Sequence, residues 1–223
     1  MAREVSPGWQ RLLSLVQQHA CTLSILALVV AILGAGAYWN RHRQAARRHQ
    51  AAKALRQALA VFYAARQAEN PDFRQAMASL STVMETHPET SAASQAALYL
   101  GHIAYAQGDY ARSLEHYRQA TAGLRAESSF LEVALLDVAY ALEAQREYSQ
   151  ARAAYQRVIE LQGGVLKDRA VIGIGRSYEQ QGKVPTAIKT YQLLLARFPN
   201  SPWADEVRQR LNLLQTDRKA KSS

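Results

Sequence analysis

One internal pattern recurs four times in this chain of 223 residues, and it constrains the fold more than any other feature. The clearest copy reads IGIGRSYEQQGKVPTAIKTYQLLLARFP, in which small and aromatic residues hold regular positions: Gly175, Tyr178, Gly182, Ala187, Tyr191 and Pro199. The small residue that opens each copy recurs at spacings of 37, 38 and 36 residues, at Ala64, Gly101, Ala139 and Gly175. Each copy therefore predicts a helix, a tight turn, a second helix and a stop.

A helical hairpin of this kind cannot bury its apolar face alone, so we expect the four hairpins to stack around one core and present a concave surface. Gly or Ala fits where the two helices approach closely, and Gly108 and Gly182 permit the turns. The pattern resembles the tetratricopeptide repeat, whose period is about 34 residues. It predicts an all-α solenoid over residues 58–216 that ends in a capping helix, with an apolar stripe of Trp203, Val207, Leu211 and Leu214.

An uncharged run precedes the repeats, ACTLSILALVVAILGAGAYW over residues 20–39. As a helix it would span about 30 Å, so it predicts a single N-terminal transmembrane helix. A cleaved signal peptide is the alternative, because Ala35, Gly36 and Ala37 resemble a cleavage site, but its apolar region is about 7 to 15 residues long. Residues 40–57 contain neither Gly nor Pro, so we expect a helical basic stalk or a break near Asn40.

Residues 1–19 form a short N-terminal tail. Four of its apolar residues have helical spacing, which fits either an interfacial helix or an early start of the membrane helix: Trp9, Leu12, Leu13 and Val16. Six Lys or Arg residues follow the span closely and two precede it, so the positive-inside rule favours a cytoplasmic repeat domain. Residues 217–223 read as a solvated basic tail.

The charge of the chain lies in its flanks. Residues 1–58 carry a net +7 and residues 217–223 carry +2, whereas residues 59–216 hold sixteen charges of each sign. A neutral folded body gives no electrostatic support for nucleic-acid binding, so we expect no nucleic-acid partner. The single cysteine, Cys21, excludes an intramolecular disulfide and a structural zinc site made of cysteines.

No catalytic motif is present in the sequence. His102 and His116 lack an HExxH or paired-carboxylate companion, and Gly173 and Gly175 lie within a helical repeat rather than in a phosphate loop. We therefore expect no enzyme activity, no cofactor, no metal and no small-molecule substrate.

A polypeptide-binding groove is the remaining prediction. The repeat register assigns twelve first-helix side chains to the concave face: Gln95, Leu98, His102, Tyr105, Val133, Leu136, Tyr140, Glu143, Arg169, Ile172, Arg176 and Glu179. In the alternative interpretation some of the tyrosines belong to the core. Such a mixture of apolar and polar groups suits an extended or helical polypeptide. The Lys and Asn set that clamps a C-terminal carboxylate in some tetratricopeptide co-chaperones is absent.

The layout of a short tail, one span ending in Tyr38, Trp39 and Asn40, and a body of repeats resembles the ancillary SecYEG translocon subunit family of bacteria. The segment RFPNSPWADEVRQRLNLL is also similar to repeats of bacterial envelope-assembly and Tol-Pal-associated proteins. The first resemblance implies a single-pass protein of the bacterial cytoplasmic (inner) membrane, with the repeats in the periplasm and with the translocon, chaperones, envelope proteins and membrane lipid as partners. The run of basic residues at 41–56 conflicts with that topology.

Two functions follow from these features. The first is a membrane-anchored scaffold that binds polypeptides at the protein-export translocon or the envelope-assembly machinery. The alternative is a structural adaptor of a larger membrane complex that uses its convex face or its stalk.

Overall fold

The computed structural model of the protein describes residues 20–126 and 128–222, and every regular element within them is an α-helix. The helices are α1 (Ala20–Gln67), α2 (Arg74–Thr86), α3 (Ser91–Ala106), α4 (Tyr110–Gly123), α5 (Ser129–Ala144), α6 (Tyr148–Glu160), α7 (Lys167–Gln180), α8 (Val184–Arg197) and α9 (Ala204–Ser222). The all-α solenoid predicted from the repeats is therefore observed. The chain divides into two compact units, Met1–His49 and Gln50–Ser223.

The first unit contains the start of helix α1. The predicted transmembrane helix is wrong, because none of the helices in the described ranges is long and apolar enough to cross a membrane. The predicted tail, with Trp9, Leu12, Leu13 and Val16, lies outside the described residues.

The second unit is built from helical pairs that pack in the order of the sequence. Consecutive helices from α2 to α9 contact one another, and α3, α5 and α7 also contact along the row of first helices. The core consists of three clusters of buried apolar side chains, centred on Leu80 and Ile103, on Leu136 and Val158, and on Tyr191 and Leu194. The first cluster begins at Ala51, so the predicted stalk over residues 40–57 already contributes to the repeat core.

Local signals explain where several helices begin. The Thr90 side chain accepts a hydrogen bond from the Ala93 amide, and Asp109 accepts one from Arg112, so both residues cap the helix that follows. Pro185 lies in the first turn of α8, where its missing N–H leaves no intrahelical bond unmade. Asp205 and Glu206 lie in the first turn of α9, where a negative charge complements the helix dipole.

The turns within three of the pairs are alike. Residues 107–109, 145–147 and 181–183 connect the two helices, and Gly108, Arg146 and Gly182 have positive φ angles of 79°, 63° and 71°. In each turn the amide of the residue after the positive-φ position donates a hydrogen bond to a carbonyl near the end of the first helix. Asp109, for example, donates to the Ala104 carbonyl over 2.9 Å. This pattern is the Schellman motif, which satisfies the last carbonyls of the first helix.

The first pair departs from the predicted register. Its connection, residues 68–73, is twice as long as each of the three others. Ala64, predicted to be the close-packed small residue, is exposed, while Ala58 and Phe62 are buried at 2% and 4% exposure. The prediction for Ala64 is therefore wrong.

Helix α9 covers the last pair. Val207 and Leu214 are buried against Tyr191 and Leu194 of α8, as the predicted apolar stripe requires. The helix continues to Ser222, so residues 217–222 of the predicted basic tail lie at its C-terminal end.

Candidate functional site

Two adjoining pockets lie along the first helices of the pairs, and we call their combined lining the groove. Each pocket has a volume of about 530 Å³, and Tyr105 and Tyr140 line both. The pocket nearer the N-terminus is otherwise lined by Phe62, Tyr63, Arg66, Tyr99, His102, Ala106, Tyr117 and Asp137. The second pocket is otherwise lined by Glu143, Ala144, Arg146, Tyr148, Arg176 and Gln180.

Aromatic side chains form the wall of the first pocket. The ring of Tyr99 meets Phe62 edge-on at 5.2 Å between centroids, and the hydroxyls of Tyr63 and Tyr99 are 3.0 Å apart. Burial, followed by the hydrogen bond with Tyr63, raises the pKa of Tyr99 to about 12. Burial likewise raises the pKa of Tyr105 and Tyr140. These hydroxyls are therefore neutral near pH 7 and available as hydrogen-bond donors.

A histidine–carboxylate pair joins two repeats at the base of the first pocket. Nε2 of His102 on α3 donates to Oδ2 of Asp137 on α5 over 2.7 Å. The His102 ring lies edge-on to Tyr99 and to Tyr117, each at 5.6 Å between centroids. The Asp137 side chain is only 16% exposed, so its hydrogen-bonding capacity is largely directed at His102.

A second charged pair joins the next two repeats. Arg176 on α7 donates from Nε and Nη2 to the two oxygens of Glu143 on α5, over 2.6 and 2.7 Å. Tyr155 donates to the same carboxylate over 2.6 Å. The hydrogen bond with Glu143 raises the pKa of Arg176, and burial followed by the Glu143 charge raises the pKa of Tyr155. Such a bidentate pair fixes both side chains in one geometry.

Five of the twelve predicted groove residues line the groove: His102, Tyr105, Tyr140, Glu143 and Arg176. The structure thus brings these five side chains of the prediction together in the groove.

The other predicted positions lie elsewhere. Leu98 and Leu136 are 1% and 2% exposed, so they are core residues and cannot contact a ligand. Val133 and Ile172 pack against the core clusters, and Gln95 donates to Ser91 on its own helix.

Two further predicted residues are engaged near the C-terminal cap. The guanidinium of Arg169 lies over the Trp203 ring, 4.9 Å from its centroid. Glu179 accepts hydrogen bonds from Arg210 and from the Tyr191 hydroxyl. Glu179 therefore joins the last repeat to the capping helix α9, and Arg169 packs on the residue that precedes α9. Neither side chain lines the groove.

The sequence-based prediction did not include the aromatic residues at the N-terminal end of the groove or the turn residues at its C-terminal end. The repeat register contains the signal that identifies them. In each of these repeats the groove is lined by the residue that follows the small residue and by the residue two positions before it, as His102 and Tyr99 show around Gly101. Tyr140 and Asp137 have the same relation to Ala139. The prediction of Leu98 and Leu136 therefore placed the groove-facing side of each helix one residue too far toward the N-terminus.

The groove offers tyrosine hydroxyls, apolar ring faces and arginine side chains, which suits non-covalent binding. Within the described ranges no group of three or more His, Cys, Asp or Glu side chains is arranged to hold a metal ion.

The architecture defines the fold class of the protein, a tetratricopeptide-like α-solenoid. Residues 136–202 match the tetratricopeptide repeat family model. No curated protein matches the chain.

The solved structures that share the fold include RapI and a kinesin light chain. RapI in its apo form is 14% identical with a TM-score of 0.61, and the match covers 77% of this chain and 65% of RapI. The nearly identical TPR-like repeats of a Podosopora anserina kinesin light chain are 15% identical with a TM-score of 0.55, covering 80% of this chain and 89% of that one. At these identities the likeness concerns the fold alone.

Proposed function

We propose that the protein is a scaffold that binds a segment of another polypeptide in the groove formed by α1, α3, α5 and α7. The observation that carries the proposal is the shared lining of the two pockets, in which Tyr105 and Tyr140 connect one pocket to the next across successive repeats. A row of linked pockets fits a chain with side chains at regular intervals better than it fits one compact small molecule. Solenoid repeats commonly use this concave surface for binding.

The groove also has the composition of a protein-binding surface. Tyrosine and arginine dominate its lining, and both are enriched where proteins recognise one another because they combine apolar area with hydrogen-bond donors. The two interrepeat pairs, His102 with Asp137 and Arg176 with Glu143, hold the lining helices in register. A partner segment would therefore meet a surface that is already organised, which limits the entropy lost on binding.

The finer part of the proposal concerns the partner. The resemblance of the sequence to the ancillary SecYEG translocon subunit family supports bound segments that belong to the protein-export or envelope-assembly machinery, including its chaperones. A photo-crosslinking amino acid in place of Tyr105 tests this in cells. The proposal expects translocon, chaperone or envelope polypeptides among its adducts. Adducts with none of these would contradict this partner class.

The binding function itself is tested with peptides selected from a random phage-displayed library on the full chain. Replacing Tyr105 and Tyr140 by Ala should weaken binding of the selected peptides at least tenfold, because two ring faces that contact the segment are removed. Leu193→Ala is the matched control, since Leu193 is 57% exposed on the second helix α8 and lines neither pocket. Equal binding by all variants would place the peptide site outside the groove.

A further inference from the structure

Arg146 occupies a backbone conformation that its counterparts assign to glycine. Its φ is 63°, and the equivalent turn residues are Gly108 and Gly182, with φ angles of 79° and 71°. In this region the Cβ atom of an L-residue crowds the following carbonyl oxygen, whereas glycine adopts the conformation freely. The turn of the third pair therefore contains a strained residue, whereas the equivalent turns of the second and fourth pairs contain an unstrained glycine.

The turn itself imposes this conformation. The Arg146 amide donates to the Glu143 carbonyl and the Glu147 amide donates to the Leu142 carbonyl, each over 2.9 Å. Lys183 and Asp109 make the same backbone bond in the glycine turns, also over 2.9 Å. The Arg146 side chain contributes nothing to this pattern, so the turn does not explain why arginine is present.

The Arg146 side chain lines the second pocket beside Tyr105, Tyr140 and Tyr148. Its guanidinium forms no hydrogen bond, ion pair or ring contact with any residue in the described ranges. Arg66 lines the first pocket and is likewise without a partner among those residues. The groove thus has an unpaired cation in each of its two pockets.

The carboxylates of the groove are already engaged. Asp137 accepts from His102, and Glu143 accepts from both Arg176 and Tyr155. Arg66 and Arg146 are therefore the charged groups of the lining that remain available to a ligand, and both are positive. This local excess stands out because residues 59–216 are neutral as a whole.

We propose that the groove selects polypeptide segments with acidic side chains, and that Arg146 and Arg66 pair with those carboxylates. The inference rests on the proposed binding function. A guanidinium binds a carboxylate through two parallel hydrogen bonds, and the neighbouring tyrosine hydroxyls can donate to the same oxygens. Strain that is retained at a pocket-lining residue is typical of binding sites, where the side chain is needed for the ligand. A basic segment would instead meet two unpaired cations.

The structure supplies a variant that separates folding from binding. Arg146→Gly removes the cation and also relieves the backbone strain, so the protein should unfold at the same temperature or higher. The probes are three fluorescent peptides of one length, which alternate leucine with glutamate, with glutamine or with lysine. The full chain is titrated with each peptide by fluorescence anisotropy at low salt, together with Arg146→Gly, Arg66→Gln and the control Arg118→Gln. Arg118 is exposed on the second helix α4 and lines neither pocket.

We expect the wild-type chain to prefer the glutamate peptide and to lose affinity for it as salt rises. Arg146→Gly and Arg66→Gln should each lower that affinity about tenfold and leave glutamine-peptide binding nearly unchanged, since one charge-assisted contact is lost. Arg118→Gln should bind as wild type. The inference is overturned if Arg146→Gly binds the glutamate peptide as tightly as wild type, or if the lysine peptide binds best. In either case the proposed function stands as long as Tyr105→Ala still weakens binding. Failure of all three peptides to bind the wild-type chain would contradict both.

Discussion

The ring of Tyr117 on α4 occupies the space that a side chain on Gly101 of α3 would need. A Cβ atom on Gly101 would come closer than 3.0 Å to two carbons of that ring. Gly175 and Tyr191 repeat the relationship in the last pair, again sixteen residues apart. In these two pairs the helices can therefore approach closely only because the small residue and the aromatic ring are matched.

Adding one methyl group at this contact should destabilise the fold. We expect Gly101→Ala to lower the free energy of unfolding by about 1–3 kcal/mol, because the buried Tyr117 ring must move. Urea denaturation followed by circular dichroism measures the change. Gly34→Ala is the control, since a Cβ atom there meets nothing within 4 Å, and Ala is the better helix former by about 1 kcal/mol. An unchanged midpoint for Gly101→Ala would show that the contact is loosely packed.

Substitutions at the positive-φ position of the related turns should change the free energy of unfolding in opposite directions, depending on whether glycine is removed or introduced. Gly182→Ala should cost about 1 kcal/mol, because it places a Cβ atom on a residue with a φ of 71°. Arg146→Gly should stabilise the chain by about 1 kcal/mol, because it removes the same strain at a φ of 63°. Thermal unfolding of the two variants beside wild type checks both signs. A lower unfolding temperature for Arg146→Gly would mean that its side chain stabilises the isolated protein.

Glu132 performs a buried capping role between repeats. Its carboxylate accepts hydrogen bonds from the amides of Val165 and Leu166 over 3.1 and 2.6 Å, just before α7 begins, and Glu132 is only 6% exposed. Glu132→Ala should cost about 2–4 kcal/mol, because it leaves two amides without their acceptor. Urea denaturation and hydrogen exchange at residues 165 and 166 measure the loss. Glu115→Ala, an exposed change on α4, should stay within about 0.5 kcal/mol of wild type.

The buried tyrosines make the stability of the fold depend on alkaline pH. Burial raises the pKa of Tyr117 above its ordinary value of 10.0, and it raises the pKa of Tyr191 to about 12. A raised folded-state pKa contributes stability that is complete below pH 10 and is lost as the pH rises toward the folded-state value. We therefore expect the unfolding temperature to be insensitive to tyrosine ionisation below pH 10 and to fall above it.

Tyr117→Phe tests the alkaline effect. No hydrogen bond from the Tyr117 hydroxyl is observed within the described ranges, so phenylalanine should keep the packing and remove only the ionisable group. The variant should match wild type at neutral pH and lose less stability above pH 10. Thermal unfolding across the pH series, with tyrosinate absorbance as the second readout, checks this. Parallel pH profiles for the two proteins would contradict the assignment.

Much of the fold could be predicted from the sequence because short-range rules govern a repeat solenoid. The spacing of Gly101 and Gly175 indicated the close helix contacts, and Gly108 and Gly182 indicated the turns. The turn of the third pair has Arg146 at the equivalent position, and it still adopts a positive φ because the backbone hydrogen bonds of the turn impose that conformation. The register failed in the first pair, where residues 68–73 lengthen the connection and Ala64 becomes exposed.

The groove was predictable only in part. His102, Tyr105, Tyr140, Glu143 and Arg176 were identified from the register. The sequence could not distinguish Leu98 and Leu136 from these groove residues. A register error of one residue rotates a helical position by about 100°, which is enough to move a side chain from the groove to the core. The transmembrane prediction was wrong, because no helix in the part of the chain that the structure describes is long and apolar enough to cross a membrane.

By itself the sequence determined the all-α class, the hairpin period and the small–aromatic pairs, because these depend on contacts between residues that are close in the chain. Only the tertiary structure decided which side of each first helix faces the groove, and which of its charges are paired. His102 meets Asp137 from thirty-five residues away, and Glu143 meets Arg176 from thirty-three. Residues so far apart in the sequence come into contact only because whole repeats stack on one another. Which cations remain unpaired, here Arg66 and Arg146, is therefore determined only by the packing of the repeats.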